Sequence, residues 1–287
     1  MTTTTALTIR ATTDQALIAS WLNAPRPDIP DVVSRPAATA DAYARDVADF
    51  RRVVPKRLAE VTLDDLEDYA HDMAARGLSI ATQRRRMSAV KSLLSYARRT
   101  GFLALDVGAA VRLKRQPSTV HKRIVDEASI IRLLALSDGR ARALVALLYY
   151  SGARISELCA VTWEDVRIEE TRIYITFTAT KSGEPRTVEV SRAKCGPALD
   201  YFRAHPAPTV VGMSRWTCHR VVKDAARAAG LPPGFSCHWV RHCTATHSLE
   251  KGAPMAHVSE TLGHASISTT LRHYHHAGQF SLSDYLA

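Results

Sequence analysis

Apolar residues in the first half of the chain recur with the spacing of an α-helix. Tyr43, Val47 and Phe50 stand at i, i+4 and i+7 and form the apolar face of one predicted helix. A second helix is predicted over residues 63–76, where a capping box precedes the apolar residues and a glycine follows them. A third is predicted to begin after the capping residue Ser79. The pattern therefore predicts a first half that is helical throughout.

The period of the pattern changes in the second half. Helices are predicted over residues 127–136 and 140–150, with a short third helix from Arg154. Residues 173–177 then alternate between apolar and polar side chains, which is typical of a half-buried strand. The turn sequence KSGEPR leads to a return strand over residues 187–190, and helices follow. The predicted fold class is mostly α with a small antiparallel β-sheet.

The pattern also divides the chain into segments. Residues 117–124 carry proline, serine, threonine and charge without any period, and they form the predicted linker. This linker separates a helical domain, residues 35–116, from a second domain, residues 125–287. Residues 1–34 are predicted to be a lead-in containing a short helix, and the pattern assigns them no role.

Length and composition limit the classes of protein to which the chain can belong. With 287 residues and 46% hydrophobic content it can fill the cores of two ordinary domains. No apolar run approaches the roughly 18 residues that a membrane span needs, and the start lacks the blocks of a secretion signal. The five cysteines are scattered and never spaced as CxxC, which disfavours a disulfide framework or a structural zinc site. We expect a cytoplasmic protein with no membrane partner.

Charge changes this picture, because the formal net charge of +10 favours a polyanionic partner, which could be nucleic acid or an anionic membrane surface. Residues 1–72 hold eight Lys/Arg against twelve Asp/Glu, whereas residues 84–115, the basic stripe, hold nine against one. Ordinary surfaces intersperse both signs, so the stripe predicts contacts with DNA phosphates; the alternative is a solvated helix face. The predicted DNA-binding residues are Arg84, Arg85, Arg86 and Lys91.

The second half contains the residue types of a catalytic site. They lie in the predicted hairpin turn and in three stretches, residues 151–158, 238–246 and 262–274. Arginine binds phosphate oxygens bidentately, histidine and lysine move protons, and a tyrosine hydroxyl can be a covalent nucleophile. No paired carboxylates accompany them, so the set predicts attack of a tyrosine on a phosphodiester without a metal ion. The candidate residues are Arg154, Lys181, His238, Arg241, His264 and Tyr274.

Taken singly, these residues have ordinary structural explanations. Arg154 could be a surface or ion-pair residue, and Lys181 a solvated residue of a turn. His238 and His242 stand at i and i+4 and could bind a metal ion, but no acidic ligand stands near them in the sequence. No metal site is therefore predicted, and the combination favours phosphodiester chemistry.

The motifs resemble those of the tyrosine recombinase (phage integrase) family in order and spacing. The resemblance rests on SGARISEL, HWVRHCTATH and ETLGHASISTT, and on the tyrosine that follows them. Tyr274 stands ten residues after His264, one more than in many members. Residues 38–117 resemble the helical core-binding domain of the family and residues 125–276 its catalytic domain. The likeness is greatest to the Xer-type and simple integrase branch.

The resemblance implies that three residues bind the phosphate and that a fourth orients a neighbouring basic group. Arg154 and Arg241 would hold the scissile phosphate and stabilise its charge in the five-coordinate transition state. His264 would hydrogen-bond to the same phosphate. Glu157, one helical turn after Arg154, is expected to orient a neighbouring basic group.

The resemblance implies that three further residues carry the covalent step. Tyr274 would attack the phosphorus and leave a 3′-phosphotyrosyl link and a free 5′ hydroxyl. Lys181 would protonate the departing 5′ oxygen, and His238 would assist proton transfer. No cofactor is implied, neither a metal ion nor ATP, because the link conserves the bond energy.

The implied function is site-specific recombination of double-stranded DNA by a homo-tetramer in the cytoplasm, associated with the nucleoid. Accessory proteins are further candidate partners. A type IB topoisomerase-like enzyme or a hairpin-forming resolvase would share the chemistry. Two alternatives belong to other classes, a histidine-rich metalloprotein and an inactive DNA-binding protein with the same fold. The presence of Arg154, Lys181, Arg241 and Tyr274 argues against the inactive protein.

Overall fold

The chain forms two compact units, Met1–Pro117 and Ser118–Ala287. The computed structural model describes residues 13–24, 37–113, 123–180 and 184–263. Within these ranges no helix is both long enough and apolar enough to cross a lipid bilayer. Each unit has its own hydrophobic core.

The first unit is helical in its described part. Its helices are α1 (Asp14–Asn23), α2 (Ala37–Val53), α3 (Leu63–Ala75) and α4 (Ile80–Arg99). The predicted caps are present, since the Thr62 hydroxyl accepts from the Asp65 amide and the Ser79 hydroxyl accepts from the Thr82 amide. Helix α4 packs against the other three helices and buries seven side chains, so it is the centre of this core.

Helix α1 belongs to this core, although the hydrophobic pattern assigned residues 1–34 no role. Leu17 and Trp21 are fully buried. The Trp21 ring stacks on Tyr43 with 5.4 Å between centroids, and its indole N–H donates to the Ser92 hydroxyl at 3.3 Å. A helix this short has little stability of its own, so its packing against α2 and α4 holds it in place.

The second unit combines helices with one small sheet. Its elements in chain order are α5 (Glu127–Leu136), α6 (Gly139–Ser151), α7 (Ile155–Leu158), β1 (Val166–Ile168), β2 (Arg172–Phe177), β3 (Arg186–Ser191), α8 (Arg192–Arg203), α9 (Arg215–Ala228), α10 (Cys237–Glu250) and α11 (Met255–Leu262). The sheet is antiparallel with the order β1-β2-β3, and Ile173 pairs with Val190. The predicted fold class is therefore confirmed. Strand β1 was not predicted, because three residues cannot display an alternation.

Helix α6 is the central helix of the second unit. All of its side chains from Ala143 to Tyr149 are buried, and it packs against α5, α8, α9 and α10. Gly152 ends the helix with a left-handed φ of +62°. A Cβ at this position would lie 2.7 Å from Leu262 Cδ2, so only glycine lets the end of α6 approach the end of α11.

The burial of α1 leads to a stability prediction. We expect Trp21→Ala to destabilise the first unit by about 3–5 kcal/mol, because it removes a fully buried aromatic side chain and leaves a cavity. Hydrogen exchange of the α2 and α4 amides as a function of urea measures the effect in the first unit alone. Trp216, which is 68% exposed, provides the control. Trp216→Ala should change stability by less than about 0.5 kcal/mol. Equal effects of the two substitutions would contradict the core position of α1.

Candidate active site

Three arginine side chains meet at the C-terminal end of α11. The last carbonyl groups of a helix have no partner within the helix and carry partial negative charge, so they attract cations. The guanidinium groups donate to three successive carbonyl groups: Arg186 to Thr261 at 3.0 Å, Arg241 to Leu262, and Arg154 to Gly263 at 3.1 Å. The next residue in the chain is His264. The structure thus brings the predicted Arg154 and Arg241 together directly before a third predicted residue.

Arg154 is positioned by the short helix that it caps. Its backbone N–H donates to one Glu157 carboxylate oxygen at 2.8 Å, and its guanidinium donates to the other at 2.6 Å. Glu157, the third residue of α7, thus accepts from the backbone of the residue before the helix, as the glutamate of a capping box does, and its ion pair with the guanidinium adds a second bond. The side chain keeps 27% of its surface exposed, so a ligand can still reach Arg154.

Arg241 lies inside the unit, on α10, with only 3% of its surface exposed. One of its Nη atoms donates to the Gly152 carbonyl at 2.7 Å, and the other donates to the Leu262 carbonyl. Gly152 ends α6 and Leu262 ends α11, so one guanidinium bridges the negative ends of two helices. This arrangement explains how a permanently charged side chain is stable in a buried position.

Glu157 links Arg154 to a third arginine. Arg186 donates from its two Nη atoms to the two oxygens of Glu157, both at 2.9 Å. The Arg186 guanidinium also lies over the Phe177 ring, 4.8 Å from its centroid. Burial alone would raise the pKa of Glu157, which is 1% exposed, but the hydrogen bonds from Arg186 and Arg154 outweigh it. They lower the pKa to about 2, so the carboxylate is ionised and fixed between two cations.

Arg186 was not among the predicted site residues, although the sequence does contain a signal for it. In β3 the residues at every second position from Arg186 are Val188 and Val190, and both valines are buried. The alternation therefore places Arg186 on the inner face of the strand. A cation on an inner face needs an anionic partner, and Glu157 is that partner.

His238 lies at the start of α10 and is exposed. The centroid of its ring lies 4.4 Å from that of the buried His242, and the two rings meet edge to face. Within the described ranges no three His, Cys, Asp or Glu side chains are arranged to hold a metal ion. Lys181, His264 and Tyr274 lie outside the described residues. Thr180 and Glu184 flank Lys181 in the sequence, and the Thr180 hydroxyl donates to the Glu184 carbonyl at 2.6 Å.

A buried histidine ties α10 to the beginning of the second unit. His247 Nε2 is 2.9 Å from the Val125 carbonyl, and Nδ1 is 2.8 Å from the Tyr149 hydroxyl. A carbonyl only accepts, so Nε2 carries the proton and Nδ1 accepts from the tyrosine in that tautomer. Burial raises the pKa of Tyr149, which keeps its hydroxyl protonated as a donor. The contacts join α10, α6 and the segment before α5.

In the first unit, the predicted DNA-binding residues make contacts within the protein. Arg85 forms an ion pair with the buried Asp46, and Arg86 with Asp49. The Lys91 amine donates to the Val111 carbonyl. Arg84 and Arg86 are half-buried and Arg85 is exposed. Because Arg85 and Arg86 form ion pairs with Asp46 and Asp49, part of the basic stripe neutralises acidic residues of α2. Their DNA contacts stay a prediction, and an approaching phosphate would have to compete with these carboxylates.

Comparison with known proteins identifies the family to which this chain belongs. A sequence model of the Phage integrase family matches residues 121–279, more than half of the chain. The chain belongs to the phage integrase family. A model of the Phage integrase, N-terminal SAM-like domain matches residues 33–101. The family that was predicted from the motifs is therefore confirmed.

Relatives of this integrase-family chain cover most of its length. Tyrosine recombinase XerD of Mycobacterium tuberculosis (strain CDC 1551 / Oshkosh) is 31% identical over 274 residues, which is 82% of this chain and 86% of that protein. Tyrosine recombinase XerD of Caulobacter vibrioides (strain ATCC 19089 / CIP 103742 / CB 15) is 31% identical over 276 residues, covering 86% and 89%.

Solved structures share the fold of this integrase-family chain. A lambda integrase(75-356) dimer bound to a COC' core site has a TM-score of 0.73 at 18% identity, covering 94% of this chain and 98% of that one. XerH site-specific recombinase bound to difH substrate has a TM-score of 0.72 at 20% identity, covering 87% and 79%.

The environment of Glu157 leads to a prediction about pH. The folded-state pKa of about 2 lies below the ordinary value of 4.5. The ionised carboxylate therefore makes its full contribution to stability at any pH above 4.5. This contribution, about 3 kcal/mol, is lost as the pH falls from about 5 towards 2. Urea titrations between pH 6 and pH 3 should show a smaller loss of unfolding free energy for Glu157→Gln than for the natural protein. Equal losses would contradict the ionised Glu157.

Proposed function

We propose that this chain cuts and rejoins duplex DNA with Tyr274 as the nucleophile and with Arg154 and Arg241 as the groups that hold the scissile phosphate. Membership of the phage integrase family makes it a tyrosine-type site-specific DNA recombinase. The family chemistry proceeds through a 3′-phosphotyrosyl intermediate. The assignment of each role to a residue of this chain is our proposal.

The convergence of Arg154 and Arg241 at the end of α11 is the observation that supports this assignment. Both side chains donate to successive carbonyl groups immediately before His264. Donors that are fixed before the reaction need no reorganisation when charge develops on a phosphate, and this is a large source of rate acceleration. Arginine also stays charged at every accessible pH. A phosphodiester beside Arg154 would therefore meet a fixed, permanently cationic site.

The proposed step exchanges one phosphoester bond for another. The Tyr274 oxygen forms a bond to phosphorus while the bond from phosphorus to the 5′ oxygen breaks. Lys181 gives a proton to the departing oxygen, and His238 takes part in removing the phenolic proton. His264 donates a hydrogen bond to the phosphate. The 5′ hydroxyl of a partner strand reverses the step, so rejoining needs neither ATP nor a metal ion.

The proposed substrate is double-stranded DNA carrying recombination sites, bound by a homo-tetramer in the nucleoid. A tetramer of a structural neighbour, lambda integrase, has been seen bound to a Holliday junction, and XerH has been seen on its difH substrate. The basic stripe of the first unit would supply phosphate contacts, which give affinity rather than sequence readout. Accessory proteins would bind elsewhere on such an assembly.

The first prediction from this proposal concerns the nucleophile. A duplex nicked near the cleavage point should trap an adduct of protein and DNA that is stable to denaturant. Tyr274→Phe should abolish the adduct and leave DNA binding intact, since only the attacking oxygen is removed. Tyr285→Phe is the matched control and should leave the adduct unchanged. An adduct that persists in Tyr274→Phe, with mass spectrometry placing the nucleotide on another residue, would disprove the assignment.

The second prediction concerns the basic stripe. Arg84→Ala combined with Arg85→Ala should weaken binding to any duplex and flatten the dependence of log affinity on log salt, by roughly 0.9 per lost phosphate contact. Arg86 is left in place because it pairs with Asp49 and also lies 4.0 Å from the buried Asp46, so that Asp46 keeps a cationic neighbour when Arg85 is removed. Arg57→Ala is the control, since Arg57 is exposed in the same unit and pairs only locally with Glu60. A slope equal to that of the control would mean that Arg84 and Arg85 are solvated surface.

A further inference from the structure

Arg186 contacts two parts of the site at once. It binds both carboxylate oxygens of Glu157, and it donates to the Thr261 carbonyl at the end of α11. We propose that Arg186 is a positioning residue for DNA cleavage, which aims Arg154 at the phosphate through Glu157 and fixes the end of α11 that precedes His264. The inference rests on the proposed function, because it assumes that Arg154 holds the scissile phosphate.

The first part of the proposal follows from the size of α7. This helix has four residues, Ile155–Leu158, and a single turn has little rigidity of its own. The direction of the Arg154 side chain therefore depends on its bonds to Glu157 and to the Gly263 carbonyl. Glu157 is held in turn by two parallel bonds from Arg186, the planar arrangement that only an arginine can form with a carboxylate. Strand β3, through Arg186, thus sets the orientation of Arg154.

The second part follows from the end of α11. Gly263 has a φ of +62°, and a Cβ there would lie 3.0 Å from Arg186 Cδ. The Arg186 side chain therefore fills the space beside Gly263, while its Nε binds the carbonyl two residues earlier. Arg186 also packs on Phe177 of β2. One side chain consequently connects strands β2 and β3, the helix that begins after Arg154 and the backbone that leads to His264.

A misdirected Arg154 would act mainly on catalysis rather than on DNA affinity. Displacing a catalytic group by about 1 Å can lower a rate by about 10²-fold. Most of the affinity for duplex DNA comes from many distributed phosphate contacts. A change in the orientation of one arginine side chain therefore changes the affinity little. A positioning role therefore predicts a slow chemical step with nearly normal binding.

The test compares Arg186→Lys with the natural protein at saturating duplex. Lysine keeps the positive charge but cannot form the planar double bond to Glu157. We expect formation of the covalent adduct to slow by about 10- to 100-fold, with the dissociation constant for DNA changed less than about threefold. Arg172→Lys is the matched control. Arg172 forms an exposed ion pair with Glu189 across the same two strands, and its substitution should leave the rate unchanged.

Two altered substrates separate positioning from other roles. In a methylphosphonate, one charged oxygen of the scissile phosphate is replaced by methyl, so the charge that Arg154 stabilises is reduced. The slowing by Arg186→Lys should shrink on this substrate. With sulfur in place of the 5′ oxygen, the leaving group no longer needs a proton, and the slowing should persist. If sulfur restored the rate of Arg186→Lys, Arg186 would act through Lys181 and the protonation of the leaving group. If the variant were slowed equally on every substrate, its role would be purely structural. Either result, like an unchanged rate, would overturn the proposal.

A second variant keeps the test decisive if Arg186→Lys does not fold. The double variant Glu157→Gln/Arg186→Gln removes both charges and leaves no buried ion without its partner. Its rate should remain slowed on the phosphodiester, because Arg154 has lost its anchor; a normal rate would overturn the proposal. Tyr274→Phe in the same assay separates the two hypotheses. If the natural protein forms no adduct, or Tyr274→Phe forms a normal one, the proposed function has failed; otherwise only the role of Arg186 is at issue.

Discussion

The second unit depends on the docking of three guanidinium groups at the end of α11. Three like charges this close together need compensating negative charge within the protein. It comes from the carbonyl groups that end α11, from the Gly152 carbonyl that ends α6, and from Glu157. The three side chains come from different elements: Arg154 precedes α7, Arg186 lies in β3 and Arg241 lies in α10. Their common contact with the end of α11 therefore fixes these elements relative to α11.

The sequence predicted the elements better than it predicted their contacts. Caps and glycines such as Thr62 and Gly152 act through neighbouring residues, so the ends of their helices could be predicted from local sequence. Arg154 and Arg241 stand out because each belongs to a recognisable motif. Arg186 has no such motif, and its partner Glu157 is 29 residues away in the chain. A contact of that range depends on how the hairpin folds back, which hydrophobic spacing does not encode.

The basic stripe shows a limit of counting charges along a chain. The acidic first segment and the basic stripe are separate in sequence, but they form facing helices of one unit. Asp49 accepts from Arg76 and Arg86, and Asp46 from Arg85. The bond from Arg76 lowers the pKa of Asp49, which keeps it ionised. Folding therefore cancels part of the local excess of positive charge, and the potential that DNA meets is weaker than the sequence count suggests.

The histidine that joins Val125 to α10 has a mechanical consequence. Val125 lies near the start of the second unit, just before α5, and its backbone is bonded to α10. Its carbonyl is bonded to His247, and its amide contacts the Cys243 sulfur at 3.5 Å. Both lie on the helix of Arg241, and His247 is six residues, or about 9 Å, from it along the axis. Tension on the chain at Val125 would therefore be transmitted directly to α10, the helix that carries Arg241.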